Sequence, residues 1–585
     1  MNSNKAARVL NRIFQVCFFV CMAVVFFGTF FYGYAKRMDT NTFEDLNPKR
    51  VLYSPLMHIL IYLAALLLLV FFCVLYHFAS KKYRLKNRSK MSDEKKYRII
   101  LFVVVILMLA VELYLGWEMR IYRSHDLEKV GVNSDVYAKT GSFQELRDRV
   151  ANGVNEGIYM ARYPNNFAIM FFLALLYRVW YLMFGTIPLY APVVVNCIAI
   201  SASVLFTALI AKQLWGRRKS LFVLGMMVIF SPFYLYVPLY YTDTLSMPFG
   251  IIALYWIVLA MKKDKSQRVK KYLLLFFAGA MLLIGYKVKG NLAIPLVAAI
   301  IYAFAKCKIK EFACIALALV LGFGSFMVMF KAGYNYLNLV SEESVEHYEY
   351  PYTHWVMMGL NGLGGYNKSD SVFTASIDGK KNKQEANIKV IKERVSNHLK
   401  EHTMLDHLTT KALWMWTDGT YTIPGHLKTY VKRSFFHQIF LRNGKYYKYY
   451  FGYASAYQLL LTFLMMISAI KGIIKSKIDF TVLLKLIVFG IFIFLLIWEG
   501  RSRYLFNLTP IFILVSADGV FCITDTTKKL FSKIRKKSAS SKHVAAYNED
   551  DSPEDLIDDE DVSADPVETD DSYEEISLSE TALQT

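Results

Sequence analysis

Cysteine is scarce in this chain of 585 residues, and it avoids the long polar segments. No CxxC pair occurs, so the sequence offers neither a disulfide framework nor a zinc motif of that kind. The absence of a Walker motif argues against an ATP-driven pump. No internal repeat of the kind typical of many transporters is evident. The seven cysteines lie in or beside apolar runs, at Cys17, Cys21, Cys73, Cys197, Cys307, Cys314 and Cys522.

Long apolar runs dominate what is present. The chain is 55% hydrophobic and 16% aromatic, and only 20% of its residues are charged. Runs of about 15–24 apolar residues suit helices that cross a bilayer. This pattern excludes wholly soluble, fibrous and largely disordered proteins, and it predicts an all-α polytopic membrane protein. The thirteen runs lie near residues 13–35, 57–79, 98–117, 164–184, 189–211, 220–238, 244–261, 272–286, 291–305, 311–330, 451–470, 480–498 and 504–524.

Charge is distributed unevenly along the chain. The net charge is +21, yet the tail from Glu549 onward holds sixteen acidic residues and no Lys or Arg, so the rest carries +37. The basic residues form short clusters between apolar runs, which is typical of cytoplasmic loops near anionic lipid and not of a nucleic-acid surface. The acidic tail is poor in apolar residues, and we expect it to be disordered. Run 13–35 is too long for a signal-peptide core, and we expect it to remain as a signal anchor.

The basic clusters also predict a topology. If all thirteen runs crossed, every cluster from Lys212 onward would face outward, against the positive-inside rule. If run 164–184 instead lies in the interface, every cluster and both termini face the cytoplasm. We therefore predict about 12 transmembrane helices, one interfacial juxtamembrane helix and helices in the outer loops, with thirteen crossings as the alternative. The runs 272–286 and 291–305 are short for a bilayer.

This topology divides the chain into five segments. Residues 1–97 form an N-terminal two-helix extension with a basic cytoplasmic loop. Residues 98–330 form a membrane core whose first outer loop is 118–163. Residues 331–450 are a large extracytoplasmic segment, residues 451–527 contain the C-terminal transmembrane helices, and residues 528–585 hold a cytoplasmic basic stretch and the acidic tail.

Polar groups gather on the predicted outer side. Because such groups are costly at membrane depth, they suggest a functional site. A carboxylate there can act as a general base, and Lys or Arg can hold a phosphate. The first outer loop contains Asp126 and Asp135. The other groups lie in RYPNN (162–166), YYTDT (240–244), YKVKGN (286–291) and EGRSRY (499–504).

Each of these features also has a structural interpretation. Arg501 with Arg503, or Lys287 with Lys289, could anchor helix ends in the interface. Asp243 could cap the helix that follows it. Their position on one predicted face is what favours a site. The glycine-rich stretch at 359–365 has no strand–turn–helix frame, which argues against a nucleotide-binding loop.

Several segments resemble the GT-C glycosyltransferases that use polyprenyl-phosphate sugars, in particular bacterial relatives of the protein O-mannosyltransferases and of the aminoarabinose transferases. The resemblance covers roughly residues 98–524. It includes an acidic first outer loop followed by YPNN, where relatives have H/Y-P-P. It continues with SPFYLYVPLYYTDTLSMPF (231–249), HWVMMGLNGLGGYN (354–367), WTDGTY (416–421) and EGRSRYLF (499–506).

The resemblance implies a GT-C-like helical bundle and a lipid-linked sugar donor based on undecaprenyl phosphate. It implies transfer on the extracytoplasmic side of a bacterial cytoplasmic membrane, to an envelope glycan, glycolipid or protein. The reaction would invert the anomeric carbon, with a first-loop Asp as base: Asp135 first and Asp126 second. It assigns no further cofactor and leaves a divalent metal open. The implied substrate-binding residues are Arg162, Tyr163, Asn165, Asn166, Tyr241, Asp243, Lys287, Lys289, His354, Asn361, Glu499, Arg501, Arg503 and Tyr504.

Two departures and three alternatives accompany this interpretation. The runs 13–35 and 57–79 precede what resembles the family's first helix, and the loop lacks a paired Asp-Glu. One alternative is a ligase or polymerase of the O-antigen type, which would use a diphosphate-linked donor. A second is a transporter or flippase of lipid-linked precursors, and a third is a scaffold protein.

Overall fold

The computed structural model describes residues 2–32, 55–82 and 92–547, and these are almost entirely helical. Within these three ranges no β-strand occurs, although an isolated antiparallel bridge joins Ile121 and Tyr430. The all-α class predicted from the sequence is therefore confirmed. The disorder predicted for the acidic tail from Glu549 concerns residues outside the described ranges.

Twenty-five α-helices follow one another in the described ranges, joined by short 3₁₀ turns and loops. They are α1 (Asn2–Tyr32), α2 (Pro55–Lys82), α3 (Asp93–Glu118), α4 (His125–Thr140), α5 (Gln144–Ala151), α6 (Asn155–Arg162), α7 (Phe167–Phe184), α8 (Ala191–Trp215), α9 (Arg217–Val228), α10 (Pro232–Leu235), α11 (Thr242–Leu245), α12 (Met247–Met261), α13 (Arg268–Val288), α14 (Ala293–Lys306), α15 (Ile309–Leu337), α16 (Glu342–Tyr348), α17 (Tyr352–Gly359), α18 (Lys368–Ala375), α19 (Lys380–Lys400), α20 (Met404–Trp416), α21 (Ile423–His426), α22 (Phe436–Phe440), α23 (Tyr447–Lys475), α24 (Phe480–Ile497) and α25 (Thr509–Tyr547).

Eleven helical segments of the described chain are long and apolar enough to cross a membrane. The count includes Pro164–Phe184, the segment that we predict to be interfacial, so that its interfacial position stays a prediction. In the structure its helix α7 packs against α4, a helix of the first loop. Gly290–Lys306 is apolar but shorter than the others.

The predicted run 220–238 is not one continuous helix, and its crossing of the membrane stays a prediction. The chain there forms α9, of 12 residues, and the separate four-residue helix α10. Pro232 begins α10, since proline lacks the N–H that a continuing helix would need.

Local capping explains where several helices begin. Ser92 accepts a hydrogen bond from the backbone N–H of Lys95 at the start of α3. Asp479 accepts one from Thr481 at the start of α24. Such caps satisfy N–H groups that have no partner within the helix.

The two N-terminal helices belong to the body of the protein. The chain divides into two compact units, Met1–Thr526 and Thr527–Thr585, and the first includes both α1 and α2. Tyr62 of α2 donates a hydrogen bond to the Phe26 carbonyl of α1, at 2.6 Å. Lys485 of α24 donates to Gln15 of α1, at 2.9 Å. Within the second unit, residues 527–547 are helical. The division of the chain into five segments stays a prediction.

The candidate site lies where several helix ends meet. The stretch after α3 pairs with the segment between α15 and α23 through the Ile121–Tyr430 bridge, and α4 directly follows this stretch. The first residues of α11, the end of α13 and the 3₁₀ turn Ser502–Leu508 after α24 converge on the same place. All of these elements lie in the first unit.

Candidate active site

A buried ion pair forms the floor of the site. Asp243, in the first turn of α11, pairs with Lys289, which directly follows α13. The side chains are only 5% and 12% exposed. Removing one partner from such a pair leaves an uncompensated buried charge, which costs more than the pair contributes when intact. The pair therefore fixes the end of α13 to α11.

Arg503 connects this floor to helix α4. Its Nη2 lies 3.3 Å from Oδ2 of Asp126, in the first turn of α4. The positive charge of Arg503 and the negative charge of Asp243 also attract each other. The Asp126 side chain is 41% exposed, so this carboxylate faces open space while Asp243 does not. A cleft surrounds the contact, and its lining residues are Ile121, Ser124, His125, Asp126, Leu127, Tyr236, Leu239, Tyr241, Asp243, His426 and Arg503.

The turn after α24 adds an acidic and an aromatic group. Tyr504 donates its hydroxyl hydrogen bond to Glu499 Oε2, at 2.7 Å. Arg501 Nε lies 3.6 Å from the other oxygen of Glu499. The Lys289 ammonium lies 5.2 Å from the centroid of the Tyr504 ring. Lys289 is thus connected through Tyr504 to Glu499 and Arg501, which lie in a distant segment of the sequence.

Asparagine and tyrosine side chains continue the site towards the YPNN segment. Tyr241 donates to Asn166 Oδ1, at 3.0 Å, and Asn166 Nδ2 donates to the Tyr159 hydroxyl, at 2.8 Å. The neighbouring Asn165 is exposed, and its Nδ2 donates to Asn166 Oδ1, at 3.4 Å. Burial raises the pKa of Tyr241 well above its ordinary value, so the hydroxyl stays protonated and acts as a donor.

Asp135 lies apart from the cleft. It pairs with Arg123 at 2.5 Å, and its side chain is 22% exposed. Its other carboxylate oxygen is buried without a hydrogen-bond partner among the described residues. Desolvation by burial is the largest single effect on the Arg123 pKa and lowers it. The hydrogen bond and the negative charge of Asp135 act in the opposite direction, and the net result is a raised pKa. Asp135 does not line the cleft, whereas Asp126 does.

The remaining predicted residues fall into two groups outside the cleft. Arg162 lies over the Tyr350 ring at 5.2 Å, and the Tyr163 ring centroid is 5.5 Å from that of Tyr350. Lys287 points towards the Phe330 ring, at 4.6 Å. These side chains flank the site without touching the Asp126–Arg503 contact.

His354 and Asn361 belong to the segment between α15 and α23. The imidazole Nδ1 of His354 lies 2.8 Å from the Thr374 hydroxyl, and burial lowers the His354 pKa to about 4. Asn361 donates to Asp370, which also forms an ion pair with Arg394 at 2.6 Å. Neither residue lines the cleft. Their hydrogen bonds hold α17, α18 and α19 together.

Two histidines that our sequence analysis did not select line the cleft. His125 precedes Asp126, and His426 ends α21. Desolvation lowers the His426 pKa to about 3, and the nearby Arg503 charge acts in the same direction. The adjacency of His125 to Asp126 in SHD was an available signal, but nothing in the sequence around His426 relates it to α4. Among the described residues no group of three or more His, Cys, Asp or Glu is arranged to hold a metal.

Comparison with known proteins identifies the family. A family model described as a conserved hypothetical integral membrane protein matches residues 7–520. The chain belongs to this family. No curated protein matches this conserved hypothetical integral membrane protein.

Two solved structures are similar to this conserved hypothetical integral membrane protein. One is the archaeal oligosaccharyltransferase AglB from Archaeoglobus fulgidus in complex with an inhibitory peptide and a dolichol-phosphate. It has 12% identity and a TM-score of 0.38, with 76% of this chain and 52% of that chain covered. This chain therefore spans about half the length of AglB. The other is ArnT from Cupriavidus metallidurans bound to undecaprenyl phosphate, with 9% identity, a TM-score of 0.30 and coverage of 72% and 77%.

Proposed function

We propose that this membrane protein is a glycosyltransferase that moves a sugar from a polyprenyl-phosphate donor to a cell-envelope acceptor. The observation that carries the proposal is the Arg503–Asp126 contact beside the buried Asp243–Lys289 pair. It brings an accessible carboxylate and the Arg503 guanidinium into one cleft, with the Lys289 ammonium buried behind Asp243. General-base transfer from a lipid phosphate needs such a combination of groups.

Asp126 is the better candidate for the general base. It is half-exposed, lines the cleft and has one long contact with Arg503. Asp135 is held by a short contact with Arg123 outside the cleft. Asp243 is buried against Lys289 and cannot reach an incoming hydroxyl group. We therefore place Asp126 ahead of Asp135, which reverses the order suggested by the sequence.

The cations suit the leaving group. As the acceptor oxygen forms its bond to the anomeric carbon, its proton passes to the Asp126 carboxylate. The bond from the anomeric carbon to the phosphate oxygen breaks, and its electron pair leaves with the polyprenyl phosphate. Arg503 and Lys289, with Arg501 at the rim, would stabilise the charge that develops on that phosphate. Attack from the opposite side inverts the anomeric carbon.

The other cleft residues suit sugar hydroxyl groups. Tyr241 offers its hydroxyl oxygen at the cleft wall, while Asn166 behind it accepts the hydroxyl hydrogen. His426, kept neutral by its low pKa, can donate through one ring nitrogen and accept through the other. Such groups would orient the sugar without adding charge next to the phosphate.

The site's position suggests the direction of the reaction. The predicted topology places the helix ends that form the cleft on the outer side of the membrane. A donor whose lipid part lies in the bilayer would present its phosphate at that depth. We propose undecaprenyl phosphate as the lipid, with an envelope glycan, glycolipid or protein as acceptor.

Mass spectrometry of envelope polymers tests this proposal. Cells that carry the wild-type protein should contain a sugar substituent that is missing from cells without it. Cells that carry Asp126→Asn at the same protein level should lack the same substituent. Asp148→Asn, at an exposed position on α5, is the matched control and should restore it. Identical polymers in all four strains would refute the proposal, and so would full restoration by Asp126→Asn.

A further inference from the structure

The glycine-rich stretch 359–365 has a structural partner in the buried Lys411. This lysine lies on α20, and its side chain is 0% exposed. The ammonium nitrogen donates to the carbonyl of Gly359, at 2.7 Å, and to that of Leu496, at 2.9 Å. Lys411 thereby joins the end of α17 to the end of α24.

The glycines make room for this lysine. A Cβ on Gly364 would lie 2.4 Å from Lys411 Cε, and Gly364 has a φ of +72°. A Cβ on Gly359 would lie 2.5 Å from the Ile497 carbonyl oxygen and 2.9 Å from the Lys411 nitrogen. Only glycine meets both demands at low cost, because it has no Cβ and tolerates positive φ. Packing around the Lys411 side chain thus explains two of the four glycines in this stretch, Gly359 and Gly364.

Helix α17 and the glycine-rich stretch both form hydrogen bonds to the turn that carries the site's charges. The backbone N–H of Glu499 donates to the Trp355 carbonyl, at 2.9 Å. The backbone N–H of Gly500 donates to the Gly364 carbonyl, at 2.8 Å. The turn then continues through Arg501 to Arg503, whose guanidinium contacts Asp126. Lys411 therefore lies behind the turn and contacts both of the segments that hold it.

We propose that Lys411 is a positioning residue: its ammonium fixes the 359–365 stretch and the end of α24, and so sets the place of the Glu499–Arg503 turn. The inference deepens the proposed function and rests on it for the consequence for transfer. The positioning itself depends only on contacts within this chain and not on the proposed activity.

The charge on Lys411 matters for this role, because a charged donor forms the stronger hydrogen bonds to carbonyls. Desolvation lowers the Lys411 pKa to about 7, against a smaller opposing effect of Glu499. The other titratable groups facing it are His407, on its own helix and 3.1 Å from the Gly359 carbonyl, and His398 on α19, whose ring lies 4.8 Å from that of His407. Burial lowers the His407 pKa below its ordinary value, so His407 is neutral above pH 7 while Lys411 loses its proton there.

Hydrogen–deuterium exchange of the ligand-free protein in nanodiscs tests the positioning. In Lys411→Met, the Glu499 and Gly500 amides should exchange faster by about tenfold or more, because both segments that hold them lose an anchor. Lys383→Met is the matched control: Lys383 is also buried and donates to a carbonyl, that of His347, but has no contact with the turn. It should leave both amides unchanged. Equal exchange in Lys411→Met and wild type would overturn the inference.

A pH series on the wild type removes any dependence on how a variant folds. After correction for the intrinsic exchange rate, protection of the Glu499 and Gly500 amides should fall as pH rises from 6 to 8.5, following loss of the Lys411 proton. In Lys411→Arg, which keeps its charge, protection should be independent of pH over that range. A wild-type profile that is flat over this range would contradict the positioning role.

Transfer assays separate this inference from the proposed function. If the protein transfers sugar, Lys411→Met should lower kcat by about tenfold and leave KM for the donor within about twofold, because the groups that act in the transition state are displaced. A protein that shows no transfer at all, but shows the exchange changes above, would refute the proposed function and leave the positioning intact. Full activity in Lys411→Met would overturn the consequence for transfer.

Discussion

Arg503 and Asp126 are separated by 377 positions in sequence, yet Nη2 of one lies 3.3 Å from Oδ2 of the other. The contact joins the turn after α24 to the first turn of α4, across the open side of the cleft. If an incoming phosphate also binds the Arg503 guanidinium, the contact between Arg503 and Asp126 would weaken. The Asp126 carboxylate would then be released as the phosphate binds. The contact thus gives a physical reason why donor binding would prepare Asp126 to accept a proton.

Asp126→Asn should remove the base and leave the fold intact. We expect the transfer rate to fall by about 10²–10⁴-fold, the usual contribution of a positioned base. Single-turnover transfer by purified protein measures it. Asp135→Asn is the informative comparison: it breaks the contact with Arg123, and we expect lower thermal stability with a much smaller loss of rate. The reverse ranking of the two rates would move the base to Asp135.

Lys289 and Asp243 should show strong energetic coupling. Either Lys289→Met or Asp243→Asn alone leaves a buried group without its partner, which costs about 3–5 kcal/mol. The double variant removes both charges, so its loss should be well below the sum of the two single losses. Thermal unfolding in detergent, at one pH and lipid content, gives the comparison. Additive losses would mean that the pair is not energetically coupled.

His426 should make the protein sensitive to acid. Its pKa is about 3 in the folded protein, below the ordinary value of 6.5. Below pH 6.5 the unfolded chain binds a proton that the folded protein excludes, so stability is complete above pH 6.5 and falls as pH drops towards 3. His426→Gln should reduce the loss of melting temperature between pH 7.5 and 5. His402→Gln, at an exposed position, should not; equal losses in wild type and His426→Gln would contradict this.

Arg503→Lys should separate charge from geometry. Lysine keeps the positive charge but lacks the planar fork that can contact Asp126 and a phosphate together. We expect a KM for the donor that rises by a few fold and a kcat that falls by about tenfold or more. Initial rates over a range of donor concentrations measure both. Unchanged kinetics would mean that Arg503 does not stabilise the leaving phosphate.

The sequence predicts the polar groups of the site better than the path of the chain between them. Asp243, Lys289 and Arg503 stand at the ends of apolar runs, and ends of runs on one side of a membrane can meet. Their contacts in the structure follow from that placement. The choice between Asp126 and Asp135 depends on which face of α4 points inward, and the loop sequence does not encode that clearly.

Other features depend on tertiary structure and left little trace in the sequence. His426 reaches the cleft because the segment before α22 pairs with the stretch after α3, through the Ile121–Tyr430 bridge. Hydropathy averages over 220–238 hide the break before Pro232, since the residues on both sides are apolar. Gly359 and Gly364 are needed where Lys411 packs against them, and Lys411 is about 50 residues later in the chain.

The most direct test of the central claim is sugar transfer by purified protein in nanodiscs, with envelope extract as acceptor. The donors are synthetic undecaprenyl monophosphate and diphosphate sugars with a radiolabelled sugar, supplied as a panel of hexoses and pentoses. We predict that one monophosphate donor releases undecaprenyl phosphate in equal amount to labelled product, and that Asp126→Asn abolishes this release. Transfer from diphosphate donors alone, or equal transfer by wild type and Asp126→Asn, would contradict the account.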